Sequence, residues 1–190
     1  MSTFSFRDRG IALRAFEPAD APAFHAYVND PALTGRRYLP DGFPDVVPLS
    51  VHQAEEAIAH WQKETESWTL AIVAAASGEL LGHARTDWEW DPHCPSACVV
   101  VAPAHQRHAV GSAALAIALA FLFQEMPAHV VSCWTASWNE PALSFMRRSG
   151  FHEAGRRPRG GVHAGVFYSD VAFDLLRPEW SALKEGRHVA

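Results

Sequence analysis

The feature that most constrains this chain is an apolar strand that runs almost without pause into a long apolar helix. Ala97–Ala102 is almost wholly apolar, the pattern of a strand covered on both faces. A short connector follows Pro103, and Gly111–Glu125 is an alanine- and leucine-rich helix stopped by Pro127. Val130–Thr135 is another apolar strand. Such a succession calls for a sheet with helices packed upon it.

Periodicity extends the pattern in both directions. Ile11–Phe16 alternates as a first strand. Glu17–Asp20 turns into a helix carrying Ala23, Phe24, Tyr27 and Val28 at helical spacing. Asn29-Asp30-Pro31 ends it, because a residue before proline is pushed out of the helical region. Tyr38–Pro48 holds three prolines and a glycine, and so predicts a loop beside the site. Ser50 is a good N-cap for a helix through Glu55, Ile58, Trp61 and Gln62. Trp68–Ala76 and Leu80–Trp90 form a hairpin around Ser77-Gly78-Glu79. Asn139 caps a helix with Pro141 in its first turn and Gly150 at its end. Phe151–Gly155 and Gly165–Leu175 are the last strands, with a polar tail after Arg177. No repeat, low-complexity tract or linker divides the chain. The expectation is one α/β domain (α+β in some schemes) over residues 1–190, with its core at about 11–180.

Composition narrows the function classes. With 48% apolar and 19% charged residues, the chain builds a core without metal or disulfide staples. A formal charge of −5 gives no electrostatic footprint for nucleic acid and weakly favours cationic amines. The longest apolar run, Ala113–Phe123, is well short of the roughly 20 residues of a membrane span. The first residues hold no apolar signal segment, and Cys94, Cys98 and Cys133 cannot all pair within one chain. Reduced thiols in the cytoplasm are the economical expectation.

The segment that carries chemistry is Val99–Leu115. The first turn of its helix offers backbone N–H groups with no internal partner, together with the positive end of the helix dipole. Ala109, Gly111, Ser112 and Ala113 are small enough to let a bulky anion approach that backbone. Such a turn can seat a pyrophosphate, and a purely structural connector fits the same residues.

This stretch resembles the coenzyme A loop of the GNAT acetyltransferase superfamily, whose pattern is Gln/Arg-x-x-Gly-x-Gly/Ala. Gln106, Ala109 and Gly111 fall on its three defined positions, with Ala109 replacing the first glycine. If that position needs positive φ, the methyl group predicts a strained or rearranged loop. Asn139–Phe151 resembles the family's later helix, with Arg148 at its lysine position and Gly150 and Phe151 in place. Leu13–Asp20, Asn29-Asp30-Pro31 and Leu175–Trp180 resemble the ribosomal-protein N-terminal acetyltransferase branch.

The resemblance implies the GNAT fold, a mixed, splayed sheet of about six or seven strands flanked by about four helices. It implies acetyl-coenzyme A as donor, held by Gln106, Arg107, His108, Ala109, Val110, Gly111, Ser112 and Ala113. Val99 and Val101 would lie on the splayed strand, while Asn139, Ala142, Phe145 and Arg148 border the pantetheine and adenosine ends. The implied acceptor is a primary amine, of a protein N-terminus or a small molecule, and a homodimer is the common assembly.

Acetyl transfer requires a neutral amine, an oxyanion donor and a leaving thiolate. The resemblance implies a backbone N–H near Val99–Val101 as that donor. A thiol of pKa about 8.5 leaves with little help. The branch's glutamate aligns with Ser96 and the superfamily's tyrosine acid with Met146, and neither residue can do the job. Asp87, Glu89, Asp91 and His93 stand nearby on the hairpin edge. The expected relay is Glu89 or His93 through water, His93 for its pKa and Glu89 for its alternation with Asp87 and Asp91. Ser96 and Met146 also sustain a rival, a coenzyme A-binding module without catalysis.

His93, Cys94 and Cys98 lack a clean fourth ligand, so no metal is expected. Cys133 reads as a small core residue. Trp88 or Trp90 is a candidate for the acceptor pocket, and the remaining tryptophans read as packing. Arg156-Arg157-Pro158-Arg159 reads as a solvated loop able to meet an anion.

Overall fold

The computed structural model describes residues 5–36, 47–88 and 90–188. The strands are β1 (Arg7–Asp8), β2 (Ile11–Ala15), β3 (Ser67–Ala74), β4 (Leu80–Asp87), β5 (Ser96–Val101), β6 (Val130–Ala136), β7 (His152–His163) and β8 (Val166–Leu176). The helices are α1 (Ala21–Val28), α2 (Val51–Trp61), α3 (Val110–Gln124), α4 (Glu140–Arg148) and α5 (Arg177–His188). All strands join one sheet in the order β1-β2-β3-β4-β5-β6-β8-β7.

Every neighbouring pair is antiparallel except β5 and β6, which the α3 crossover makes parallel. That pair has a single register position, Ser96 opposite Ser132. Its near ends are clamped: Ser132 N–H donates to Pro95 O, and the His129 and Val130 N–H groups both donate to His93 O. Beyond Ser96 the strands part. Ala102 N–H donates to Leu81 O on the β4 side. Strand alternation therefore turns the main-chain groups of Val99 and Val101 toward the gap.

The expected mixed, splayed sheet is present, with eight described strands and five described helices rather than six or seven and about four. One addition is β1, only two residues long. The other is α5, which replaces the polar tail expected after Arg177. The Arg177 guanidinium there donates to the carbonyls of Phe123, Met126 and Ala128, and the Glu179 carboxylate accepts the Leu176 N–H at 2.9 Å. Trp180 packs on Phe123 with ring centroids 5.1 Å apart. The partners of Arg177 and Trp180 lie about fifty residues away in sequence, and local polarity conceals them.

The helices form two layers. α1 and α2 cover one face through Phe16, Phe24, Tyr27, Ile58 and Trp61, packed against Ala71 and Val100. Ser50 and Gln53 close α2 with a reciprocal capping box. α3 and α4 cover the other face. Val110, Ala114 and Ile117 meet Ile72 and Leu81, while Leu119, Leu143 and Met146 meet Val131 and Phe173.

Two further boundaries differ from expectation. β4 stops at Asp87 instead of Trp90. The arginine-rich run expected as a loop lies inside β7, whose register with β8 shifts between Arg157 and Gly161. That bulge removes Pro158 from the ladder, which its missing N–H requires. Within the sheet, Gly82 has φ of 155°, and a Cβ there would overlap the Val100 carbonyl. Among the described residues, no helix is long and apolar enough to cross a membrane. The predicted loop Tyr38–Pro48 falls mostly outside the described residues.

Candidate coenzyme and acceptor site

β5 ends in a short 3-10 turn, Pro103–His105, and α3 begins at Val110. Between them Gln106 Nε2 donates to Val101 O at 3.0 Å, tying the loop back to the strand end. Arg107 (φ 65°) and Ala109 (φ 60°, ψ 4°) are both left-handed. Turns of this kind gather successive N–H groups into a concavity suited to an anion. Ala109 takes the strained conformation expected of a methyl-bearing residue at positive φ, at a cost of about 1–2 kcal/mol.

The first N–H of the helix to find an internal acceptor is that of Ala113, which donates to Ala109 O at 3.0 Å. Among the described residues, the backbone N–H groups from Arg107 to Ser112 donate to no other part of the chain. They stand at the positive end of a 15-residue helix. His108, Val110 and Ser112 are part of this array, and Ala113 closes it.

The structure also brings together residues far apart in sequence. A Cβ on Gly111 would lie 3.4 Å from Val101 Cγ2 and 3.7 Å from Phe145 Cζ. The loop, the parted strand and α4 thus meet at one glycine. Ser112, Phe145 and Arg148 line a groove of about 740 Å³ along α3. Its other cations, Arg7, Arg9 and Lys184, gave no sequence signal, because β1 and α5 reach the groove only through the tertiary fold. Arg9 pairs with Asp8 and also donates to Ser112 O at 3.4 Å. Ala142 sits half-buried in the first turn of α4, its N–H bonded to Asn139 O at 3.0 Å. Asn139 precedes α4 without a side-chain cap; its Nδ2 donates to Thr135 Oγ1 at 3.3 Å, and it is only 3% exposed.

The proton-relay candidates fare differently. Glu89 lies outside the described residues. His93 is exposed, its Nδ1 2.9 Å from Asp91 Oδ1, and hydrogen bonds from His93 hold the Asp91 carboxyl below its usual range. His93 sits at the clamped end of the β5–β6 pair, a strand length of roughly 17 Å from the coenzyme loop. The structure does not bring it to the open gap. Ser96 forms the last pair before the strands part, and Met146 is buried in the core. Burial pushes the Cys98 thiol up to about 11 and the Cys133 thiol up to about 12, so neither is a thiolate nucleophile near neutrality. Among the described residues, no group of three His, Cys, Asp or Glu side chains could hold a metal ion.

The tryptophan expectation is also revised. Trp88 packs edge-on against Trp68, whose ring lies 4.0 Å from Phe121, and Trp90 is 93% exposed. It is Trp138, read from sequence only as packing, that stands just past the end of β6 at which the strands part, packed against His163 and Tyr168. The basic run is engaged elsewhere: Arg156 pairs with Glu153 and Arg157 with Asp170.

Parted parallel strands with a run of N–H groups lacking acceptors at the start of the following helix form a frame able to hold an anion. Residues 11–152 match the family model described as an acetyltransferase (GNAT) domain, and the chain belongs to this GNAT acetyltransferase family. Among solved structures, a GNAT-family acetyltransferase from Bacillus anthracis superposes with a TM-score of 0.78 at 18% identity, covering 91% of this chain and 98% of that one. A chimera of the spermidine N-acetyltransferase SpeG from Vibrio cholerae and hSSAT gives 0.76 at 18% identity, covering 90% and 98%. The spermidine/spermine N-acetyltransferase SpeG from V. cholerae, in complex with manganese ions, gives 0.71 at 17%, covering 91% and 96%. At such identities the likeness establishes the fold alone. No curated protein matches the sequence significantly.

Proposed function

We propose that the chain transfers the acetyl group of acetyl-coenzyme A to a primary amine of a protein N-terminus or a small molecule. The observation that carries this reading is the run of N–H donors from Arg107 to Ser112, directly beside the gap at Val101. These donors hold the diphosphate, and Gln106 fixes the loop that presents them. Bound there, the pantetheine arm would run into the gap beside Val101, with Phe145, Asn139, Ala142 and Arg148 on its α4 side. Val99 and Val101 direct main-chain N–H groups into the gap, where one polarises the thioester carbonyl and stabilises the oxyanion.

The neutral amine attacks that carbonyl carbon, the C–N bond forms, and collapse of the tetrahedral intermediate breaks the C–S bond. Because His93 lies at the far end of the strands, the amine proton leaves through water, with Glu89 as the remaining relay candidate, and the rate comes mainly from positioning. The spermidine acetyltransferases among the structural relatives support an amine acceptor, and the branch resemblance in Leu13–Asp20 supports a protein N-terminus. Reduced Cys98 and Cys133 fit a cytoplasmic protein. Val162, Val166 and Phe167, exposed on the β7–β8 hairpin, fit a homodimer contact.

The test pairs calorimetry of coenzyme A binding with thiol release from acetyl-coenzyme A over a panel of amines. Micromolar binding and amine-dependent thiol release are expected. No affinity for the coenzyme overturns the reading, and binding without turnover favours the non-catalytic module that Ser96 and Met146 suggested.

A further inference from the structure

Resting on the acetyltransferase reading, we propose that the acceptor amine also bears a carboxylate, which Arg36 and Trp138 bind at the open end of the β5–β6 gap. Trp138 follows the end of β6, and the neighbouring Ser137 N–H donates to Ser169 O at 2.8 Å, which fixes this segment to β8. The indole stacks on His163, with centroids 3.8 Å apart and planes within 8°. Tyr168 meets it edge-on at 6.5 Å. The Arg36 guanidinium stands 5.1 Å from the indole centroid. Gly35, at φ 71°, lets the chain pass close by, since a Cβ there would lie 3.3 Å from the indole.

Two donors of the cluster, Trp138 Nε1 and the Arg36 guanidinium, have no acceptor among the described residues. Trp138 Nε1 is buried. Arg36 is half-buried and has no carboxylate partner among them. Acids on the adjoining hairpin are already paired, Asp170 with Arg157 and Glu153 with Arg156, and Glu140 is exposed to solvent. A buried N–H without an acceptor is costly, and a guanidinium fork matches a carboxylate in two parallel hydrogen bonds. A carboxylate paired with the guanidinium and reaching the indole edge would satisfy both groups. A polyamine instead sets a second cation against Arg36.

The geometry also separates the two substrates. Leu33, three residues before Arg36, packs in the α1–α2 layer. The coenzyme seat lies at the start of α3, on the opposite face. The acceptor therefore enters from the α1 side, with its carboxylate at the mouth and its amine directed into the gap.

Lysine and cadaverine differ only by a carboxylate and provide the test. With thiol release as the readout, kcat/KM for lysine should exceed that for cadaverine by about tenfold or more, the worth of one charge-assisted contact. Arg36→Gln should lower that ratio at least about fivefold, and Arg36→Lys should keep part of it. Cadaverine turned over as well as lysine, or a ratio unchanged in Arg36→Gln, overturns the inference while leaving amine acetylation intact. If no amine is turned over, the enzymatic reading fails by itself. The carboxylate site is then decided by calorimetry with lysine: binding that weakens in Arg36→Gln supports it, and absence of binding overturns it. Should Arg36→Gln not fold, the wild-type preference between the two amines decides the matter.

Discussion

Ala109 offers a measurement in which loop strain and coenzyme binding separate. Its φ of 60° places a methyl-bearing residue in the left-handed region, which costs an L-residue about 1–2 kcal/mol. Ala109→Gly removes that cost but adds about 0.4–1 kcal/mol of conformational entropy to the unfolded chain. The net expectation is stabilisation of about 0.5–1 kcal/mol, or roughly 1–3 °C in Tm for a chain of this size. The peptide N–H at this position is kept, so coenzyme A affinity should not fall. Ala109→Val serves as the opposite perturbation, because a β-branched residue is poorly accommodated at such a φ; it should lower Tm by several degrees. Differential scanning calorimetry of the ligand-free protein and titration with coenzyme A measure the two effects independently. A lower Tm for Ala109→Gly would refute the strain argument, and weaker coenzyme binding in that variant would refute the anion seat.

Gly82→Ala should cost at least about 3 kcal/mol, seen as a Tm drop of about 10 °C or loss of soluble protein, because the new Cβ meets the Val100 carbonyl and lies 2.9 Å from Val101 Cα. Asp20, bonded to Arg14 at 2.7 and 2.8 Å and accepting the Glu17 N–H, has its carboxyl held below the usual range, chiefly by the Arg14 hydrogen bond. Its contribution is present above the unfolded pKa of about 3.9 and is lost as pH falls through the folded value. Asp20→Asn should therefore destabilise by about 1–2 kcal/mol at pH 7, and denaturant melts should show the difference from wild type shrinking as the pH drops below about 4. With iodoacetamide at pH 8, mass mapping should find Cys94 alkylated first, while Cys98 and Cys133, raised to about 11 and about 12, stay unmodified until the protein unfolds.

Much of the architecture was legible because it follows from short-range causes. The apolar run before Pro103, the alanine-rich helix after it and the Ser50 cap each depend on residues within a few positions of one another. The turn proposed to seat the coenzyme was legible for the same reason: a strand entering a helix exposes N–H groups wherever it occurs. Even the strain at Ala109 followed from a missing glycine in an otherwise matching pattern.

Other features depended on distance and direction, which a linear pattern does not carry. The pKa of an imidazole and its place on the hairpin edge made His93 a relay candidate, yet the parallel pair is clamped beside His93 and opens at the opposite end. α5 looked like a polar tail because the carbonyls that hold Arg177 belong to α3 and the segment after it. Arg156–Arg159 read as a solvated loop, but the fold carries it inside β7, where a bulge removes Pro158 from the ladder. Trp138 looked like ordinary packing until the fold set Arg36 and His163 against it. Local hydrogen bonding and periodicity thus determined most of the strands and helices and the turn whose N–H groups lack acceptors. Tertiary packing decided which end of the strand pair opens and which side chains face that opening, because both depend on contacts between residues far apart in the chain.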